Sequence, residues 1–79
     1  MVTVHRQSGL RFAIHTDDHE PPHVHVLGDG EMRVVIYGAN GLPELIDTER
    51  MKRGDMRRAM RIVTEQQNYF MERWREIHD

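Results

Sequence analysis

Seventy-nine residues with 38% hydrophobic and 30% charged side chains, six histidines, six methionines and no cysteine predict one small domain, residues 1–79. They exclude a disulfide scaffold, a thiolate zinc site and a cysteine nucleophile. No apolar run approaches the roughly 18 residues of a membrane span, and Met1–Gln7 lacks a signal-peptide hydrophobic region, so a soluble, cytoplasmic location with no membrane is expected. The net charge of −2 hides a division: three basic against seven acidic side chains in residues 1–48, eight against six in residues 49–79.

Residues 1–47 read as strands. Val2 and Val4 alternate with polar residues, and Gln7-Ser8-Gly9 is a turn signal. Leu10, Phe12 and Ile14 alternate with Arg11, Ala13 and His15, the period of two that marks a half-buried strand. The polar loop Thr16–Pro22 leads into His23-Val24-His25-Val26-Leu27, and Gly28-Asp29-Gly30 is a hairpin-type turn. Met32, Val34 and Ile36 then alternate with Arg33, Val35 and Tyr37. Gly38-Ala39-Asn40-Gly41 ends that strand, and Leu42–Ile46 is a weaker candidate in which Pro43 implies an edge strand or none.

Residues 54–77 read as one long helix. Met56, Met60, Val63, Gln67, Phe70, Trp74 and Ile77 follow one another at steps of four and three, which puts them on one stripe, widened by Ala59, Ile62 and Tyr69. Gly54-Asp55 is the predicted start, with Asp55 near the positive helix end. No proline or glycine follows, and such a helix would span roughly 35 Å. That exceeds what a small sheet covers, so the end around Trp74 is expected to seek a partner. The fold class is therefore α+β: a three- or four-stranded, mainly antiparallel sheet with one long C-terminal helix packed across it.

The chemistry concentrates in Asp17-Asp18-His19-Glu20-Pro21-Pro22-His23-Val24-His25-Val26. Strand alternation sends Val24 and Val26 to the core, and His23 and His25 to the opposite face with Arg11, His15, Arg33 and Tyr37. Pro21-Pro22 stiffens the entry to the strand and admits a cis bond. Three readings stand side by side. His19, His23 and His25 suit a zinc, nickel or copper ion, with Asp17, Asp18 or Glu20 as a fourth ligand. The same histidines suit proton transfer on a phosphodiester, with Arg11 or Arg33 stabilising charge on phosphate. In the third, they are polar members of a sheet face or an interface. No motif requires a cofactor, and the one option is a divalent transition metal.

Residues 50–61 hold Arg50, Lys52, Arg53, Arg57, Arg58 and Arg61 against Asp55 alone. Arg50, Arg53, Arg57 and Arg61 are spaced to line one face, and cations at a helix start oppose its dipole by roughly 0.3–1 kcal/mol each. Their repetition points to an anionic ligand, either RNA phosphate or an acidic partner. The internal alternative folds Asp17, Asp18 and Glu20 against them, with an Arg61–Glu65 pair along the helix.

The run from Arg11-Phe12 through Pro21-Pro22-His23-Val24-His25-Val26, with Trp74 and then His78 near the end, resembles a family of small bacterial domains of unknown function numbered 4160. His15 stands where that family commonly has an aromatic residue. The resemblance implies a compact α+β domain of bacterial or phage origin. It also implies a two-gene, toxin–antitoxin-like pairing with a small cognate protein, and His19, His23 and His25 as motif positions. The functional expectation is a toxin–antitoxin-like protein acting on or binding RNA. In it His23 and His25 handle protons, His19 orients one of them, and Arg33 with the arginine patch holds phosphate. The alternatives are a histidine metal module and a protein-interaction domain or homodimer.

Overall fold

In the computed structural model, which describes residues 1–79, each strand pairs with its neighbour in sequence, through short turns at 8–9 and 28–30 and longer connections at 15–22 and 36–43. Strands β1 (Val2–Gln7), β2 (Leu10–Ile14), β3 (His23–Leu27), β4 (Glu31–Val35) and β5 (Glu44–Glu49) form one antiparallel sheet in the order β1-β2-β3-β4-β5. Helices α1 (Arg53–Glu65) and α2 (Gln67–His78) follow. The α+β class holds, with two corrections: five strands stand where three or four were expected, and two helices stand where one was expected. No helix is long and apolar enough to cross a membrane.

The β1–β2 turn is Ser8-Gly9, both with positive φ (55° and 75°), the two-residue form whose twist suits a hairpin. β5 begins directly after Pro43, pairs only with β4 and is exposed along its whole length, so the proline marks an edge strand. It starts two residues later and ends three later than the expected Leu42–Ile46 segment. A side chain at Gly30 would collide with the backbone oxygen of Glu49, which requires glycine where the β3–β4 turn lies against the end of β5.

One sheet face follows the alternation faithfully. Phe12, Ile14, Val24, Val26, Met32 and Val34 are fully buried, and they pack under Ala59, Ile62 and Val63 of α1 and Phe70 and Trp74 of α2. Phe12 and Phe70 stack with ring centroids 5.5 Å apart.

The expected single helix breaks at Gln66, whose backbone (φ −121°, ψ 28°) leaves helical values. Two glutamines hold the break. Gln66 reaches His5 Nε2 (3.1 Å) and Gln7 Oε1 (3.4 Å) on β1, while Gln67 donates to the carbonyls of Ile36 (2.8 Å) and Gly41 (3.1 Å) beyond β4. Neither residue is a helix breaker, so tertiary hydrogen bonds decide the point. The two helices measure about 20 and 18 Å, and the overreach expected of a single rod does not arise. Trp74, 3% exposed, is covered by its own chain.

Candidate functional site

Pairing of Ala13 with His25 and of His25 with Arg33 places Arg11, Ala13, His15, His23, His25, Glu31, Arg33 and Val35 on the face turned away from the helices. An outward face of this kind is normally solvated. Here the loop after β2 folds back over it, and His23 and His25 are only 7% and 5% exposed. The loop is closed by the Asp18 backbone N–H donating to the His15 carbonyl (3.2 Å) and by the Ile36 N–H donating to the Pro22 carbonyl (3.0 Å). The Glu20–Pro21 bond is cis.

One carboxylate oxygen is the focus of this arrangement. Asp18 Oδ2 accepts the His15 backbone N–H at 3.2 Å, lies 3.0 Å from His25 Nε2 and lies 3.3 Å from His23 Nε2. On its far side each imidazole meets an acceptor: His25 Nδ1 donates to Glu31 Oε2 (3.1 Å), and His23 Nδ1 donates to the Pro21 carbonyl (2.9 Å). His15 stacks on His25 with centroids 3.9 Å apart and planes 16° from parallel. His15 Nε2 and His23 Nε2 are buried without a hydrogen-bond partner. Burial works to raise the pKa of Asp18, but the His25 hydrogen bond, the charge of His23 and the His15 N–H together outweigh it and hold the carboxyl below its ordinary value.

Trp74 closes one side, with its ring 5.6 Å from His23 and stacked on His78 at 3.7 Å, where His78 Nδ1 donates to the Trp74 carbonyl (2.9 Å). The Trp and His near the C-terminus therefore pack as an aromatic wall beside the histidine cluster.

Of the histidines singled out from the sequence, the structure brings together His23 and His25 and leaves His19 apart. His19 is exposed, and its side chain makes no hydrogen bond or ion pair. His15 occupies the place expected for it. Asp17 and Glu20 are exposed, and Asp18 alone of the acidic trio engages the cluster. Arg33 is held by Asp47 on β5 through two hydrogen bonds, one of them Nε to Oδ1 at 3.0 Å. Tyr37 leaves the face altogether and donates to Asn68 Oδ1 at the start of α2. Glu31 lay outside the sequence reading, and His15, placed on this face by alternation, was not assigned to the site; both had a signal. His15 continues the alternation of Arg11 and Ala13, whose partner across the hairpin is His25, and Glu31 is the first strand residue after a three-residue turn, on the same face as His25.

The basic residues divide into paired and unpaired sets. Lys52 pairs with Asp29 (2.8 Å), Arg58 with Asp55 (2.5 Å) and Arg50 with Glu49 (3.4 Å). Arg53, Arg57 and Arg61, one turn apart along α1, are exposed and enter no ion pair. The acidic trio does not fold against them, and no Arg61–Glu65 pair forms.

No curated protein and no solved structure matches the chain. A family model, described as a domain of unknown function (DUF4160), matches residues 9–75. That match spans the whole sheet from β2 onward, the histidine cluster and the closing Trp74, and the chain belongs to this family.

Proposed function

We propose that the protein is an RNA-contacting member of a small toxin–antitoxin-like pair, and that it binds RNA through the α1 ridge rather than cleaving it through the histidines. The observation that carries this reading is the set Arg53, Arg57 and Arg61: three exposed guanidinium groups in line with no internal acid to neutralise them. Successive members rise about 6 Å along the helix. Guanidinium presents a planar fork of donors suited to phosphate oxygens. Arg50, expected to share this role, sits next to the ridge with its guanidinium on Glu49 and contributes less.

Cleavage is the weaker reading for a steric reason. The side chains of His23 and His25 are 9% and 6% exposed, and both Nε2 atoms point at Asp18, so a phosphodiester cannot reach them while the loop is closed. Arg33, the expected phosphate-holding group of that face, is occupied by Asp47.

The test is binding of labelled single-stranded RNA across a salt series. Three phosphate contacts predict a log–log slope of about −2, and each single Arg→Ala change at the ridge lowers its magnitude by about 0.7. Binding that ignores salt, or that survives Arg53→Ala, Arg57→Ala and Arg61→Ala combined, contradicts the proposal.

A further inference from the structure

We propose that His15, Asp18 and His25, with His23 as a fourth donor, form a binding site for a divalent transition-metal ion of the zinc or nickel class. This inference is independent of the arginine ridge.

The first support is convergence. One ligand atom from each of His15, Asp18 and His25 lies within 4.8 Å of the others. Donors about 2.0–2.2 Å from a common zinc ion stand roughly 3–4 Å apart. Closing the site takes rotation of the His15 ring out of its stack on His25, since an imidazole offers its lone pair in the ring plane.

The second support is where the ring protons sit. Pro21 O and Glu31 Oε2 only accept, so the Nδ1 atoms of His23 and His25 carry hydrogen. With the Nδ1 hydrogens placed there, the Nε2 atoms are the ring positions open to a metal ion. Both face the anionic Asp18 Oδ2, at 3.3 and 3.0 Å. In metal-free protein His25 bridges Glu31 and Asp18 by hydrogen bonds, and an ion would take the place of the hydrogen between His25 Nε2 and Asp18 Oδ2. One dipositive ion would serve His15, Asp18 and His25, whose ligand atoms lie within 4.8 Å of one another, with His23 Nε2 3.3 Å from Asp18 beside them. The unpartnered His23 Nε2, on a residue 7% exposed, and the unpartnered His15 Nε2 are the atoms such an ion would engage.

The third support is the surrounding shell. Metal-bound histidines characteristically donate their other ring N–H to a carboxylate or a backbone carbonyl, which fixes the tautomer and ring orientation. His25 does so to Glu31 and His23 does so to Pro21. Imidazole nitrogens with one carboxylate, and no array of oxygens, favour zinc, nickel or copper over magnesium or calcium. His19, the ligand expected from sequence spacing, has no part in the site.

The experiment uses the full chain, stripped with a chelator and titrated with Zn²⁺ alone. One equivalent should bind saturably. At free Zn²⁺ a hundredfold above Kd, the folded-to-unfolded ratio should rise about a hundredfold. Glu31→Gln, at a side chain 47% exposed, should keep the fold and weaken Zn²⁺ binding about ten- to a hundredfold. His15→Gln should weaken it further, and His19→Ala should bind as the wild type does. Failure of the folded wild-type chain to take up Zn²⁺ or Ni²⁺ saturably overturns the proposal, and so does uptake that is lost in His19→Ala but kept in His15→Gln.

Discussion

The two faces of the sheet are buried by different means, and the contrast separates stability from chemistry. The face under the helices is filled by Phe12, Ile14, Val24, Val26, Met32 and Val34, all without solvent exposure and without a polar atom to satisfy. The face under the 16–22 loop buries His23 and His25 almost as fully, yet there three imidazoles gather beside one carboxylate, with ring nitrogens left unpartnered. Apolar burial contributes stability in proportion to area. Burial of polar groups costs free energy unless each finds a partner. The ring nitrogens left without partners are a cost that folding alone does not explain, so the outer face is where the proposed metal site lies, apart from the arginine ridge of α1.

The largest expected effect lies on the inner face. Phe70→Ala removes the ring stacked on Phe12 and should cost about 3–5 kcal/mol, a large share of the roughly 5–15 kcal/mol typical of a domain; urea unfolding measures it. On the outer face, Asp18→Asn in metal-free protein should cost less, about 1–3 kcal/mol, by taking the anion from two buried histidines. If the loss equals or exceeds that of Phe70→Ala, the division of labour between the faces is wrong.

Acid should distinguish the faces as well. The Asp18 carboxyl is held below its ordinary value in the folded chain, so the stability it lends is complete above about pH 4. That stability fades as pH falls through the depressed value. Melting temperatures of metal-free protein should therefore drop across this range, and the drop should flatten in Asp18→Asn. The smallest effect belongs to the rim of the outer face. Arg33→Ala opens a pair whose side chains are 40% and 52% exposed and should cost about 0.2–1 kcal/mol, most of it lost in high salt.

Much of this molecule was legible in its residues, and the illegible parts share a cause. Alternation of period two placed Phe12, Ile14, Val24, Val26, Met32, Val34 and Ile36 on the core side, and the helical stripe identified Val63, Phe70 and Trp74. Both patterns are local. The break at Gln66 was hidden because the bonds that set it reach β1 and the segment after β4, and no local propensity encodes them. The same applies to the site. Proximity along the chain favoured His19, but the turn of the loop aims Asp18 inward and leaves His19 in solvent. His15 and Glu31 join through strand register, which becomes readable only once the hairpin pairings are fixed.

The central claim, that the outer face is assembled around a single cation, is tested most directly by nitrogen-resolved NMR of the imidazoles in wild-type protein during Zn²⁺ addition. The account predicts that His15, His23 and His25 shift together and saturate at one equivalent, while His5, His19 and His78 do not move. A shift led by His19, or no change at His15 and His25 after a full equivalent, would contradict it.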